Sequence, residues 1–198
     1  MPRVRLNRAE KRKQTHDYLL EAAFEVFSQQ GYNGASVDDV AYEAGFTKGA
    51  VYDHFENKEG LFLALVEQQL ESEISQWHEI YPDESYEESF VKFATKQRVW
   101  HMLLLEFYLF ALRNPTVNEK LSARYRQSHS DLVKVLQEQS KKHNKELPLP
   151  AEEMAWAILS FGHGLSVLTH LNPSAIPENL YENIMSNWLP FLKEAHKK

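Results

Sequence analysis

Ser36–Gly60 reads SVDDVAYEAGFTKGAVYDHFENKEG, and its punctuation marks out two short helices and a turn. Ser36 is an N-cap with Asp39 as its capping-box partner three residues on. Val37, Val40 and Ala41 follow at helical spacing, and Gly45 stands where the chain leaves the helix through a positive φ. Thr47 caps a second helix, Lys48 to Phe55, and Asn57 caps a third. Two short helices joined by a Gly-containing turn are the unit that sets a recognition helix in the major groove of DNA. The stretch predicts a DNA reader spanning about residues 36–55.

The second helix meets the demands of groove reading. Gly49 and Ala50 are small enough to let the backbone approach the groove floor. Thr47 and Lys48 donate to phosphates or base edges, and Tyr52 offers a hydroxyl on a rigid ring. Upstream, Asn7 with Glu10 opens a long first helix. Leu20, Phe24 and Phe27, flanked by Leu19, Ala23 and Val26, recur at helical spacing, and Gly31 and Gly34 end it.

A net charge of -6 is unusual for a nucleic-acid binder. Its distribution matters more than its total. Arg3, Arg5, Arg8, Lys11, Arg12 and Lys13 against Glu10 give residues 1–13 a net +5, whereas residues 14–60 carry -7 and residues 61–198 carry -4. A DNA-binding face must therefore be assembled locally from the arm, Lys48, Lys58 and helix N-termini. Asp38, Asp39 and Glu43 should face away from the phosphates. The arm either enters an adjacent minor groove or is a solvated tail.

Downstream, a fourth helix is expected from about Lys58 to Glu79, with Leu61, Leu65 and Leu70 inward. YPDES at 81–85 breaks the chain. Tyr86 to Arg113 then reads as a helix that is apolar on nearly all sides after Val99, the pattern of a bundle centre. Asn114-Pro115 ends it. Further helices are expected over about 123–142, 151–171 and 177–195, with the tail KEAHKK frayed. No strand alternation and no repeat is evident. The 198 residues contain no cysteine, so disulfides, thiolate metal sites and cysteine nucleophiles are excluded. No apolar segment follows the basic start, and the longest apolar run, Val99–Leu112, is too short to span a bilayer. A soluble, cytoplasmic protein with no membrane partner is the expectation.

The run VFSQQGYNGASVDDVAYEAGFTKGAVYDHFENKEGLF (26–62) resembles the TetR family of bacterial transcription regulators. Its most specific part is AGFTKGAVYDHFENKEGLF, and the resemblance extends from about Asn7 to Glu67. Beyond that, only EFYLFALRNP (106–115) and the general organisation are similar. The resemblance implies an all-α fold of about nine helices. Residues 1–60 would form the basic arm and helix-turn-helix domain, and residues 61–198 the connecting helix and an effector-binding and dimerisation domain. Residue by residue, it implies that Ser36, Thr47, Tyr52, His54 and Lys58 hold phosphates. Lys48, Gly49, Ala50 and Asp53 would lie nearest the bases, with Val51 and Phe55 in the small core.

An aromatic stripe at helical spacing is ordinarily core, but the central helix of the resembling family walls a ligand cavity. Trp100, His101, Leu104, Phe107, Tyr108, Phe161 and Leu168 are therefore the candidate pocket, for an aromatic or lipophilic effector. Glu106, a carboxylate in an apolar helix, either meets a cationic ligand or pairs with an arginine such as Arg113 or Arg124. His163 and His170, seven residues apart, are too distant to share one metal ion directly and read as core or interface histidines. Gly162 and Gly164 in SFGHGL either favour close helix approach or are solvent-side glycines. The resemblance implies a symmetric dimer through the last two long helices, which makes Gly164 and Leu165 the candidate dimer contacts.

No Gly-rich phosphate loop, HExxH or GxSxG motif is present. No catalytic residue, metal or cofactor is expected. The expected function is a homodimeric, ligand-responsive repressor released from a near-palindromic operator when effector binding tilts the fourth helix. A small-molecule-sequestering protein with weak DNA affinity and a protein-interaction module are the alternatives.

Overall fold

The computed structural model describes residues 7–79 and 97–189, the side chains of 74–79 and 173 excepted. Among these residues the fold is all-α, with eight α-helices and one short 3-10 turn. They are α1 (Arg8–Gly34), α2 (Val37–Glu43), α3 (Lys48–Tyr52), α4 (Lys58–Glu79), α5 (Arg98–Arg113), α6 (Pro115–His143), α7 (Ala151–Leu171) and α8 (Leu180–Trp188), with the 3-10 turn at Pro173–Ala175. An N-terminal helix-turn-helix is followed by a helical C-terminal region, as expected. The arm before Asn7, the YPDES break, the first turns of the helix expected from Tyr86 and the KEAHKK tail lie outside the described residues.

Local chemistry explains the helix ends. Asn7 and Glu10 form a reciprocal capping box at the start of α1, and Ser36 and Asp39 form another at the start of α2. Inside α1, Gly31 takes φ +71 and ψ 167, so the regular helix kinks there before the chain reaches Gly34. Gly45 adopts φ +70 after α2, the left-handed conformation that glycine reaches without a Cβ penalty. The second reader helix ends at Tyr52 rather than Phe55, because Asp53 and His54 close it in a tight turn. Pro115 both stops α5 and opens α6. Its missing N–H is harmless at a first helical position, so α6 begins eight residues earlier than the expected Ala123.

The described chain packs as two compact units. The first comprises the residues up to Gln68 together with Leu103–Leu121; the second comprises Gln69 to Met102 and Ser122 onward. In the first unit, Leu19, Ala23 and Phe27 of α1, Val40 of α2, Val51 of α3, Leu61 and Phe62 of α4 and Phe107 of α5 are all buried. Phe62 stacks on Phe107 with centroids 4.4 Å apart, and the Tyr32 ring meets both edge-on at 5.1 and 4.9 Å. Such aromatic geometry adds about 0.5–1.5 kcal/mol per pair beyond area burial. In the second unit, Leu132 and Leu136 of α6, Met154, Ala155 and Ile158 of α7, and Met185 and Leu189 form the core.

Two expectations need revision. The helix α5 is not enclosed on all sides, because Leu109 and Leu112 are 57% and 72% exposed among the described residues. Leu168 of α7, a candidate pocket residue, is also exposed, as is Trp156 on the same helix. By length and composition α7 is apolar enough to cross a membrane, but Met154, Ala155 and Ile158 on it are buried in the second unit's core.

Candidate nucleic-acid interface

The reader is built by α2, the turn at Gly45 and α3, packed on α1 through Val37, Val40, Ala41, Val51 and Phe55. Burying those five side chains leaves Thr47, Lys48, Gly49, Tyr52 and Asp53 exposed on α3 and its ends, with Ala50 half-buried. Thr47 Oγ1 accepts the Ala50 N–H at 3.2 Å, so its hydroxyl hydrogen is left to point outward. A Cβ on Gly49 would meet only Thr47 Oγ1, at 3.7 Å. Among the described residues nothing demands glycine there, and the open face it leaves is available to a ligand backbone. Tyr52 stands half-exposed at the end of α3.

The other sequence-predicted DNA contacts lie nearby in the same unit. Ser36 is exposed, and its hydroxyl donates to Asp39 at 2.6 Å. His54 is half-buried beside His16, with ring centroids 5.9 Å apart. Burial, then His16 and Arg12, depress its pKa below the usual imidazole value, with Asp53 opposing. At neutral pH it is therefore an uncharged hydrogen-bonding group. Arg12 reaches the Asp53 carbonyl at 3.5 Å, which brings a basic side chain of α1 to the end of the recognition helix.

Two cations are engaged internally. Lys48 donates to both carboxylate oxygens of Asp38, at 2.8 and 2.9 Å, so this acid stands beside the reading end of α3 and not away from it. That hydrogen bond is the main cause of the raised Lys48 pKa. Exposed on the surface, the pair is readily exchanged for a phosphate. Lys58 points inward: its ammonium donates to the carbonyls of Tyr32 and Ala35 at 2.9 and 3.1 Å and lies 4.7 Å over the Tyr32 ring. To hold a phosphate, Lys58 would have to leave those carbonyls.

The candidate pocket residues divide between the units. Leu104, Phe107 and Tyr108 belong to the first, where Leu104 and Phe107 are buried core. Trp100, His101, Phe161 and Leu168 belong to the second. There Trp100 is buried, Phe161 stacks on Tyr181 at 5.8 Å, and Leu168 faces outward. His101 Nδ1 and His170 Nε2 are 3.0 Å apart, a distance at which the pair shares one proton. Burial, then Arg98, lowers the His170 pKa. His163 Nε2 pairs with the Tyr125 hydroxyl at 3.2 Å, while burial raises the pKa of Glu73, a neighbour of His163. The sequence reading missed Tyr125 and Glu73 because neither interrupts an apolar run. Grooves of about 730 Å³ beside Phe24 and Phe46 and about 530 Å³ beside Leu147–Ala151 are lined by none of the seven. Of the candidate dimer contacts, Gly164 is exposed and Leu165 is buried within its own unit. Among the described residues, no three His, Asp or Glu side chains are grouped to hold a metal ion.

Residues 19–65 match the family model described as bacterial regulatory proteins, tetR family. Residues 85–192, more than half of the chain, match that of the BetI-type transcriptional repressor C-terminal region. The chain belongs to the TetR family. Over 50 residues it is 42% identical to the HTH-type transcriptional regulator AcrR of Shigella flexneri, covering 25% of this chain and 23% of that one. Over 71 residues it is 41% identical to the transcriptional activator FasR of Mycolicibacterium smegmatis, covering 36% and 31%. These matches thus span less than a third of either relative. The fold is shared more widely. The Bacillus subtilis regulator FadR, solved in complex with stearoyl-CoA, superposes with a TM-score of 0.55 at 18% identity, over 92% of this chain and 98% of that one.

Proposed function

We propose that this TetR-family chain is a homodimeric, ligand-responsive transcriptional repressor that releases a near-palindromic operator when a small molecule binds its C-terminal unit. The observation that carries the reading is the exposed donor face of α3, with Thr47, Lys48, Gly49 and Tyr52 outward and Val51 buried beneath them. Lys48, Gly49 and Ala50 approach the base edges, while Ser36, Thr47, Tyr52 and His54 hold phosphates, and Lys58 stays on the carbonyls of Tyr32 and Ala35. The match to a BetI-type repressor C-terminal region favours repression, although the relative FasR is named an activator. Its role is regulation in the cytoplasm, not catalysis.

The effector site is assigned to the second unit. Trp100, His101 and Phe161 supply apolar and aromatic surface, and the paired groups His101–His170 and Tyr125–His163 offer polar recognition. A lipophilic effector with one hydrogen-bonding end fits this composition. The solved FadR complex with stearoyl-CoA is consistent with such a ligand class.

The dimer forms through the exposed stripe of α7, where Trp156, Ser160, Gly164 and Leu168 recur every four residues. Two recognition helices can then meet half-sites about 34–36 Å apart. Effector binding tilts α4 and changes that spacing, and a coupling of about 1–3 kcal/mol lowers operator affinity 5- to 150-fold.

Binding to duplex DNA from upstream of the chain's own gene, measured across a salt series beside Tyr52→Ala, tests the reading. Sequence-dependent binding that weakens with salt and collapses in the variant is expected. Equal weak binding to random DNA, unchanged in Tyr52→Ala, would reject it. That outcome favours a sequestering protein, the alternative for which the Lys48–Asp38 pair speaks.

A further inference from the structure

The carboxylate of Glu106, set within an apolar stretch of α5, is spent on a single backbone amide. Its Oε2 accepts the Tyr32 N–H at 2.8 Å, and no arginine or lysine pairs with it among the described residues. Tyr32 directly follows Gly31, where α1 kinks at positive φ. A Cβ on Gly31 would stand 3.0 Å from the same Oε2, so φ demands glycine there, and a side chain would in addition press the Glu106 carboxylate aside.

The opposite end of this residue is also held. Lys58, at the start of α4, takes the carbonyls of Tyr32 and Ala35. The turn 31–35 is thus gripped by a carboxylate from α5 and an ammonium from α4, with the Tyr32 ring locked among Phe27, Phe62, Phe107 and Phe110. Ser36, the cap that opens the helix-turn-helix, is the next residue along the chain. Both gripping helices continue by chain connectivity into residues of the second unit, α4 beyond Gln68 and α5 before Leu103.

We propose that Glu106 is a positioning residue for operator binding. It touches no DNA, yet its hydrogen bond holds the turn that sets the entry of α2 and so the pitch of α3. A charged acceptor suits the task, because hydrogen bonds to ionised groups are stronger than neutral ones and an unpaired N–H among these rings would be unfavourable. The link gives α5 a direct hold on the reader through one bond. A displacement of α5 by a fraction of a turn breaks it. This inference rests on the regulator reading for its DNA consequence but not for the bond itself.

The test uses the full chain with three variants. Glu106→Met keeps the side-chain volume and removes the acceptor, Glu106→Ala removes both, and Glu106→Gln restores a neutral acceptor. Operator affinity, its salt slope, helicity and Tyr32 amide exchange are measured on each. For Glu106→Met, affinity should fall about tenfold at unchanged helicity, the size expected from losing part of one charge-assisted hydrogen bond. The salt slope stays the same because no phosphate contact is lost, and the Tyr32 amide exchanges at least about tenfold faster. Glu106→Gln should recover most of both losses. Wild-type affinity in Glu106→Met, or a salt slope shallower by about one, overturns the proposal. So does a Tyr32 amide that remains protected. If the wild-type chain shows no sequence-specific DNA binding, the regulator reading falls and the positioning role with it, and Tyr32 exchange alone then shows whether the bond exists.

Discussion

At the residue scale, the reader face separates folding requirements from binding requirements. Gly49 is the sharpest case. An added methyl makes only an ordinary contact, 3.7 Å from Thr47 Oγ1, and alanine is favoured over glycine within a helix by up to about 1 kcal/mol. Gly49→Ala should therefore melt at the same temperature or higher while operator affinity falls, since the methyl intrudes where the backbone approaches the groove. Thermal unfolding beside operator titration checks both halves, and unchanged affinity would remove Gly49 from the groove floor. His54 makes a pH prediction. Its native pKa lies below the ordinary 6.5, chiefly through burial and then through His16 and Arg12. The native state thus favours neutral imidazole. Its contribution is complete above pH 6.5 and is lost as pH falls through 6.5 towards the native value. His54→Gln should flatten the acid limb of a stability–pH curve, and an unaltered limb would show that other groups dominate it. Some residue roles were legible in the sequence and some were not. The caps Asn7, Ser36, Thr47 and Asn57 act over three residues and could be read directly. The partner of Glu106 is a backbone amide 74 positions away, and sequence carries no marker for backbone acceptors and donors. Arg113 and Arg124, the partners expected of it, are the cationic choices that charge alone brings to mind.

At the element scale, the turn between α2 and α3 is held by conformation more than by contact. Gly45 has φ +70, and nothing lies within 4 Å of the place its Cβ would occupy. Any loss on substitution is therefore backbone strain, about 1–2 kcal/mol for an L-residue in the left-handed region. Gly45→Ala should lower stability by that amount, with Gly45→Asn milder because asparagine tolerates the conformation. Equal stability of all three proteins by denaturant unfolding would contradict the positive φ. The helices themselves were mostly readable because periodicity and caps coincide, as in α2 and α4. The start of α6 was not, because Asn114-Pro115 reads as a break. Proline is equally at home as the first residue of a new helix, and that ambiguity is intrinsic to the residue. The exposed positions Leu109, Leu112, Trp156 and Leu168 mark a second limit. Apolar periodicity reports which face avoids water, not whether the cover comes from the same chain.

At the scale of the whole molecule, that last distinction governs the proposed dimer. On α7, Trp156, Ser160, Gly164 and Leu168 stand four residues apart on an outward face, with two small residues between two large ones. Gly164 has nothing within 4 Å of an added Cβ in the single chain. Gly164 is exposed, so a larger side chain there points away from the described residues of its own subunit, and leaving glycine behind benefits an isolated helix by up to about 1 kcal/mol. The opposite holds if two copies of α7 approach through the small residues, because the added side chain then wedges the partner helix away. Gly164→Leu should therefore keep full helicity yet shift the protein from dimer to monomer in sedimentation. Operator binding should fall further than any single DNA contact would explain, because one recognition helix cannot bridge two half-sites. Leu165→Ala makes the contrasting prediction. That side chain is buried within its own unit, so its truncation should lower unfolding stability by about 2–5 kcal/mol and leave the folded fraction dimeric. A Gly164→Leu protein that stays dimeric and binds operator normally would move the interface off this face of α7.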